Sequence, residues 1–238
     1  MMLDAPLFKD RTQAGEKLAA LIQTELMLPN VDSTPNKIVY ALPRGGLPVA
    51  SEIANSLECP LTVLVAKKIS HPNNPELAVG AVTASGEVLW MEQKSFSFRP
   101  SGQREQAMEA AIDKAKSLES QFLPFCPQVN PKGAILILVD DGIATGMTIA
   151  VAVKALAQLA PATIWLVAPL APPSMLPWLQ NWCDSIKSES KINYRILVLA
   201  TPEQFISVSS FYAQFPQVAT SEALDYLKRR VRDTTNNS

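Results

Sequence analysis

Ala134-Ile135-Leu136-Ile137-Leu138-Val139 runs directly into Asp140-Asp141-Gly142-Ile143-Ala144-Thr145-Gly146-Met147-Thr148. A continuous apolar run of this length reads as the central strand of a parallel sheet, buried on both faces. The two acids end the strand, and the small, hydroxyl-bearing turn after them opens a helix predicted over Thr148–Leu159. Such a turn presents backbone N–H groups and the positive end of a helix dipole to an anion, with Thr145 and Thr148 as hydroxyl donors. Acids would repel the same phosphate, so Asp140 and Asp141 must face something else. A ribose diol or a cation-bridged part of a ligand is the natural partner. The alternative is capping and solvation alone.

Working outward, short β-branched runs alternate with segments of helical period. Strands are predicted at Ile38–Leu42, Leu61–Ala66, Thr163–Ala168 and Ile196–Ala200, and helices at Pro48–Leu57, Gly102–Leu123 and Pro173–Trp182. Val79–Trp90 reads as a hairpin turning at Ala84-Ser85-Gly86-Glu87. Loops are expected at Ser70–Pro75 and Ser95–Gly102, so the hairpin between them reads as a flap. Terminal helices are expected over Asp10–Met27 and Ser221–Arg232, with a frayed tail from Asp233. The order predicts an α/β fold, a doubly wound, mainly parallel sheet with helices on both faces, and ligands at the carboxyl ends of the strands.

The chain has 238 residues, 47% hydrophobic and 18% charged, enough for one large domain with a substantial core. A net charge of -1, with no basic run, argues against a nucleic-acid partner. No apolar stretch is long enough to span a bilayer, and the N-terminus lacks a secretory pattern. Three scattered cysteines and one histidine argue against zinc or a disulfide framework and fit a reducing cytoplasm. Neither GxxxxGK[ST] nor GxGxxG occurs.

Leu136–Thr148, LILVDDGIATGMT, resembles the ribose-phosphate-binding motif of the type I phosphoribosyltransferases. Two departures are Gly142, where the broad pattern is apolar, and Ala144, where the hypoxanthine–guanine branch carries Asp. Ala41-Leu42-Pro43-Arg44-Gly45-Gly46 follows the first strand, where the family places its pyrophosphate loop; its glycines allow close backbone approach and its arginine is a forked cation. Asn74–Ala81 is similar to a segment of an uncharacterised bacterial branch. Pro202-Glu203-Gln204-Phe205-Ile206 resembles the hood of purine-type members.

The resemblance implies one phosphoribosyltransferase-like domain over residues 1–238, with a core at about 34–200 and a hood at about 201–220 plus the terminal helices. It implies transfer of ribosyl-5-phosphate from phosphoribosyl pyrophosphate to a nitrogen nucleophile, a small-molecule acceptor of purine-like character, with Mg2+ as cofactor. Asp140 and Asp141 would contact the ribose hydroxyls. Arg44 and Lys67, at the end of the second strand, would meet the leaving pyrophosphate, with Pro43, Gly45 and Gly46 around it. Successive side chains on a strand alternate in direction, so one of Lys67 and Lys68 faces the site, and alternation does not say which; Lys67 is preferred. Ala144, Thr145, Gly146, Met147 and Thr148 would hold the 5′-phosphate. Phe205 would stack on the acceptor and Ile206 would bond it through its backbone. Glu76 and His71, on the flap side, are weaker candidates for chemistry. No residue is assigned as a metal ligand. A homodimer in the cytoplasm, serving nucleotide metabolism, completes the expectation. The rival is a regulatory protein that senses phosphoribosyl pyrophosphate or a nucleotide without transferring anything.

Overall fold

The computed structural model describes residues 6–91 and 102–236. Its centre is a five-stranded, wholly parallel sheet in the order β2-β1-β6-β7-β8, formed by Leu61–Val63, Lys37–Ala41, Ile135–Val139, Thr163–Leu170 and Asn193–Ala200. The opening apolar run is the middle strand, paired with β1 on one side and β7 on the other, with Val39 opposite Ile137 and Ile137 opposite Trp165. All five of its residues are buried. Alternation along the strands divides the core in two. Val39, Ile137, Val139, Trp165 and Val167 pack on helices α1 (Arg11–Leu26), α2 (Gly46–Ser56) and α6 (Thr220–Asn236). Ile38, Leu136, Leu138, Ile164 and Leu166 pack on α4 (Met147–Ala157) and α5 (Met175–Ser190). Each fully buried aliphatic side chain contributes about 1.5–3 kcal/mol, so this strand anchors both layers. The doubly wound α/β class is as expected.

The flap region is more regular than its composition suggested. The second predicted strand stops at Val63, and the chain re-enters strand geometry as β3 (Ala66–His71) in a separate antiparallel sheet with β4 (Asn74–Thr83) and β5 (Val88–Trp90). Lys67 and Lys68 therefore lie at the start of β3. The predicted loop at Ser70–Pro75 is a tight turn in which His71 pairs with Asn74. Pro and Asn mark a reversal of the chain but do not set its length. This sheet is clamped between α3 (Gln103–Phe122), which packs Ala111 against Ile69, Val79 and Val82, and α4, whose Met147 and Val151 meet Ala81. Of the predicted loop Ser95–Gly102, only Gly102 lies within the described residues, and the side chain of Glu76 falls outside them.

Helix α5 runs two turns beyond Trp182 because Leu179, Cys183 and Ile186 continue its buried stripe, and it ends with Lys191 in the left-handed region at φ 61°. Helix α6 continues to Asn236, past the expected start of fraying. The segment after β8 forms a cap in which Phe205, Val208, Phe211 and Phe215 pack around buried Phe8, Leu170 and Tyr212. Phe8 is stitched into it by the Phe8 N–H to Phe211 carbonyl and Ala213 N–H to Phe8 carbonyl bonds. Among the described residues no helix is long and apolar enough to cross a membrane.

Candidate functional site

A cavity of about 420 Å3 opens at the carboxyl ends of β1 and β6, where an open parallel sheet presents its ligand crevice. It gathers Pro43, Arg44 and Gly45 from the turn into α2, Lys67 from β3, Asp140, Asp141 and Thr148 from the β6–α4 turn, and Arg11, Phe215, Gln217 and Val218 from the terminal segments. The two loops singled out in the sequence thus share one site.

The Pro43–Arg44 peptide is cis. Beyond it, the absence of a side chain on Gly45 lets the pyrophosphate-loop candidate press against the acidic turn. Among the described residues the Arg44 side chain makes one weak hydrogen bond, Nη1 to Thr220 Oγ1 at 3.3 Å. Neither Arg44 nor Lys67 has a carboxylate partner among the described residues. Burial and the neighbouring Arg44 charge both push the Lys67 ammonium below its usual range. Two adjacent, partly buried, unpaired cations are costly unless an anion joins them. Lys68 is exposed and does not line the cavity.

The acids are not equivalent. Asp140 accepts the Asp141 backbone N–H on Oδ1 at 2.9 Å. Burial, then the Asp141 charge, holds its carboxyl well above the ordinary range. Asp141 is also pushed up by burial, but Arg11 opposes the shift, donating from Nε to Oδ2 at 2.8 Å. The Tyr212 hydroxyl donates to the Asp141 carbonyl at 2.7 Å. Both carboxyl groups line the cavity.

Gly146 turns the chain into α4 with φ +69°, and no side chain caps the helix. Met175 and Trp178 pack against Gly146 at this helix start. Thr148 lines the cavity beside the acids, whereas Ala144, Thr145 and Met147 line a second cavity of about 790 Å3 that continues to Trp178 and Trp182. Phe205 packs on Phe211 with ring centroids 5.4 Å apart, and Ile206 is 81% exposed; neither lines the first cavity. The aromatic that does is Phe215, carrying the Arg11 guanidinium 3.6 Å above its ring. His71 Nδ1 accepts the Asn73 N–H at 3.2 Å in the β3–β4 turn.

Sequence reasoning missed Arg11, Phe215, Gln217 and Val218. Phe215-Pro216 after the last strand was a visible signal, an aromatic in the segment already read as a hood. Arg11 carried none, since a single arginine at a helix start is commonplace.

The described residues contain no group of three or more His, Cys, Asp or Glu able to hold a metal ion.

The family model of the phosphoribosyl transferase domain matches residues 10–204. Two Mycobacterium tuberculosis proteins, from strains CDC 1551 and H37Rv and provisionally named phosphoribosyl transferases, are each 33% identical over 236 residues. The match takes in 95% of this chain and 48% of theirs, so the chain spans about half the length of these relatives. The crystal structure of TT1426 from Thermus thermophilus superposes with a TM-score of 0.72 at 28% identity, covering 93% of this chain and 98% of that one. This chain belongs to the phosphoribosyltransferase family, with the type I fold.

Proposed function

We propose that the protein transfers ribosyl-5-phosphate from phosphoribosyl pyrophosphate to the nitrogen of a planar acceptor, a purine-like base first among them, and releases pyrophosphate. One observation carries this reading: the unpaired cations Arg44 and Lys67 and the carboxylates Asp140 and Asp141 meet in one cavity from separate loops. A ligand with a polyanion at one end and a diol at the other satisfies both pairs. Its 5′-phosphate falls to the uncapped start of α4, where Thr148 lines the same cavity as the acids.

Departure of pyrophosphate leaves positive charge at the anomeric carbon. Arg44 and Lys67 take up the charge of the leaving group, while Asp140 and Asp141 fix the ring so that the acceptor approaches from the far side. Beside Arg44 and Lys67, a Mg2+ ion bound with the donor would supply further neutralisation of that charge. The acceptor nitrogen attacks with its lone pair as the bond to pyrophosphate breaks, and its proton passes to solvent. The resemblance also supports a homodimer, which size-exclusion chromatography with light scattering checks.

The test is pyrophosphate release with Mg2+, phosphoribosyl pyrophosphate and a panel of purine, pyrimidine and smaller nitrogen acceptors. Product from a purine supports the reading in full, and product from another acceptor alone replaces the acceptor. Donor binding with no product from any acceptor replaces transfer with sensing.

A further inference from the structure

Arg11 belongs to the first turn of α1, about 130 positions from the acid it touches. Its place is over-determined. Asp10 caps the helix by accepting the Gln13 N–H at 2.9 Å, and Phe8 is bonded into the hood three residues before it. Its guanidinium donates from Nε to Asp141 Oδ2 and from Nη1 to the Pro216 carbonyl, both at 2.8 Å, while its face lies on Phe215. The side chain is only 9% exposed, and what shows lines the cavity. A buried arginine that uses its edge and its face together is held rigid, unlike a surface ion pair.

We infer that Arg11 is a positioning residue for the donor: it holds Asp141 as an aimed, ion-paired carboxylate and makes the N-terminal helix part of the ribose-binding site. This rests on the proposed binding of a ribosyl phosphate in the same cavity. The physical need is plain. Asp140 and Asp141 are adjacent, both disfavoured as anions by burial, and each accepts the sugar hydroxyls most strongly while charged. The groups facing Asp141 are Arg11 from α1, Asp140 beside it and Tyr212 from the hood, with Arg44 and Lys67 across the cavity and Lys68 contributing a weaker field at Asp140. Of the cations, Arg11 alone forms an ion pair with Asp141 among the described residues. Removing its charge raises the pH at which Asp141 gives up its proton.

Calorimetric binding of ribose 5-phosphate and 2-deoxyribose 5-phosphate between pH 5.5 and 9 tests this on the full chain. Wild type is expected to bind ribose 5-phosphate, favour it over the deoxy sugar and lose affinity in acid. In Arg11→Gln the acid limb moves up by at least about one pH unit, so affinity falls at least about fivefold at the wild-type midpoint, about tenfold well below it, and recovers at high pH. Arg11→Lys, which keeps the charge but loses the fork, moves it the same way by less, and carries the test should Arg11→Gln not fold. An affinity loss uniform across pH, or none, in a folded variant overturns the inference and leaves the donor site standing. A wild type that binds neither sugar phosphate nor phosphoribosyl pyrophosphate overturns the donor site and this inference with it.

Discussion

Gly45 and Asp141, far apart in the chain, are in such close contact that a Cβ on Gly45 would lie 2.1 Å from Asp141 Oδ2. The clash would be with a carboxylate that Arg11 already holds, so it cannot turn away freely. Gly45→Ala is expected to displace Asp141, cost about 1–3 kcal/mol of stability as an overpacked site, and weaken ribose 5-phosphate binding. Thermal unfolding and calorimetry on the same sample check both effects.

Asp140 sets function against stability. Its folded-state carboxyl titrates well above the ordinary range, so the folded protein binds more protons than the unfolded chain between the two values. Stability contributed by this group therefore falls as pH rises through that window, and the full penalty is present above it. Asp140→Asn should raise the Tm of the ligand-free protein at pH 8 and weaken donor binding about ten- to a hundredfold, the loss of a charge-assisted hydrogen bond. A lower Tm would contradict the sign of the shift.

Lys67 is pushed the other way by burial and by Arg44. Lys67→Met is expected to leave stability unchanged or higher, because it removes a disfavoured charge, while pyrophosphate binding weakens and its salt dependence shrinks. With Lys67 present, pyrophosphate affinity should decline on the alkaline side at a lower pH than an ordinary lysine would give. Product inhibition by pyrophosphate at varied pH and ionic strength measures both.

Phe205 and Phe215 separate packing from recognition. Phe205→Ala should cost about 1–3 kcal/mol through the hood cluster with no specific effect on the acceptor, whereas Phe215→Ala should raise both KM values, the donor's through Arg11, whose guanidinium lies on its ring. Steady-state kinetics with each substrate varied in turn tests this; an equal effect on the acceptor KM would return Phe205 to the site.

The acidic turn and the Pro43–Gly46 loop were legible because each is local: an apolar run ends, and the next few residues carry the chemistry. Their meeting in one cavity followed from the rule that such sheets bind ligands at the strand ends. Phe215 was half visible, in the right segment but passed over for Phe205, because hydrophobicity marks which residues pack and not which cavity they line. The strand at Ala66–His71 was missed because its pairing lies with β4, and periodicity over so few residues cannot name a partner.

The amino-acid sequence by itself determined the doubly wound sheet, the central strand and the two loops at its carboxyl edge, since burial pattern and turn chemistry act over a few neighbouring residues. Only the tertiary structure decided that Asp140 and Asp141 differ, that Lys67 lines the cavity while Lys68 lies outside it, and that Arg11 reaches the site from the other end of the chain. Those outcomes depend on desolvation and on charges brought together by folding, and neither is a property of any local stretch.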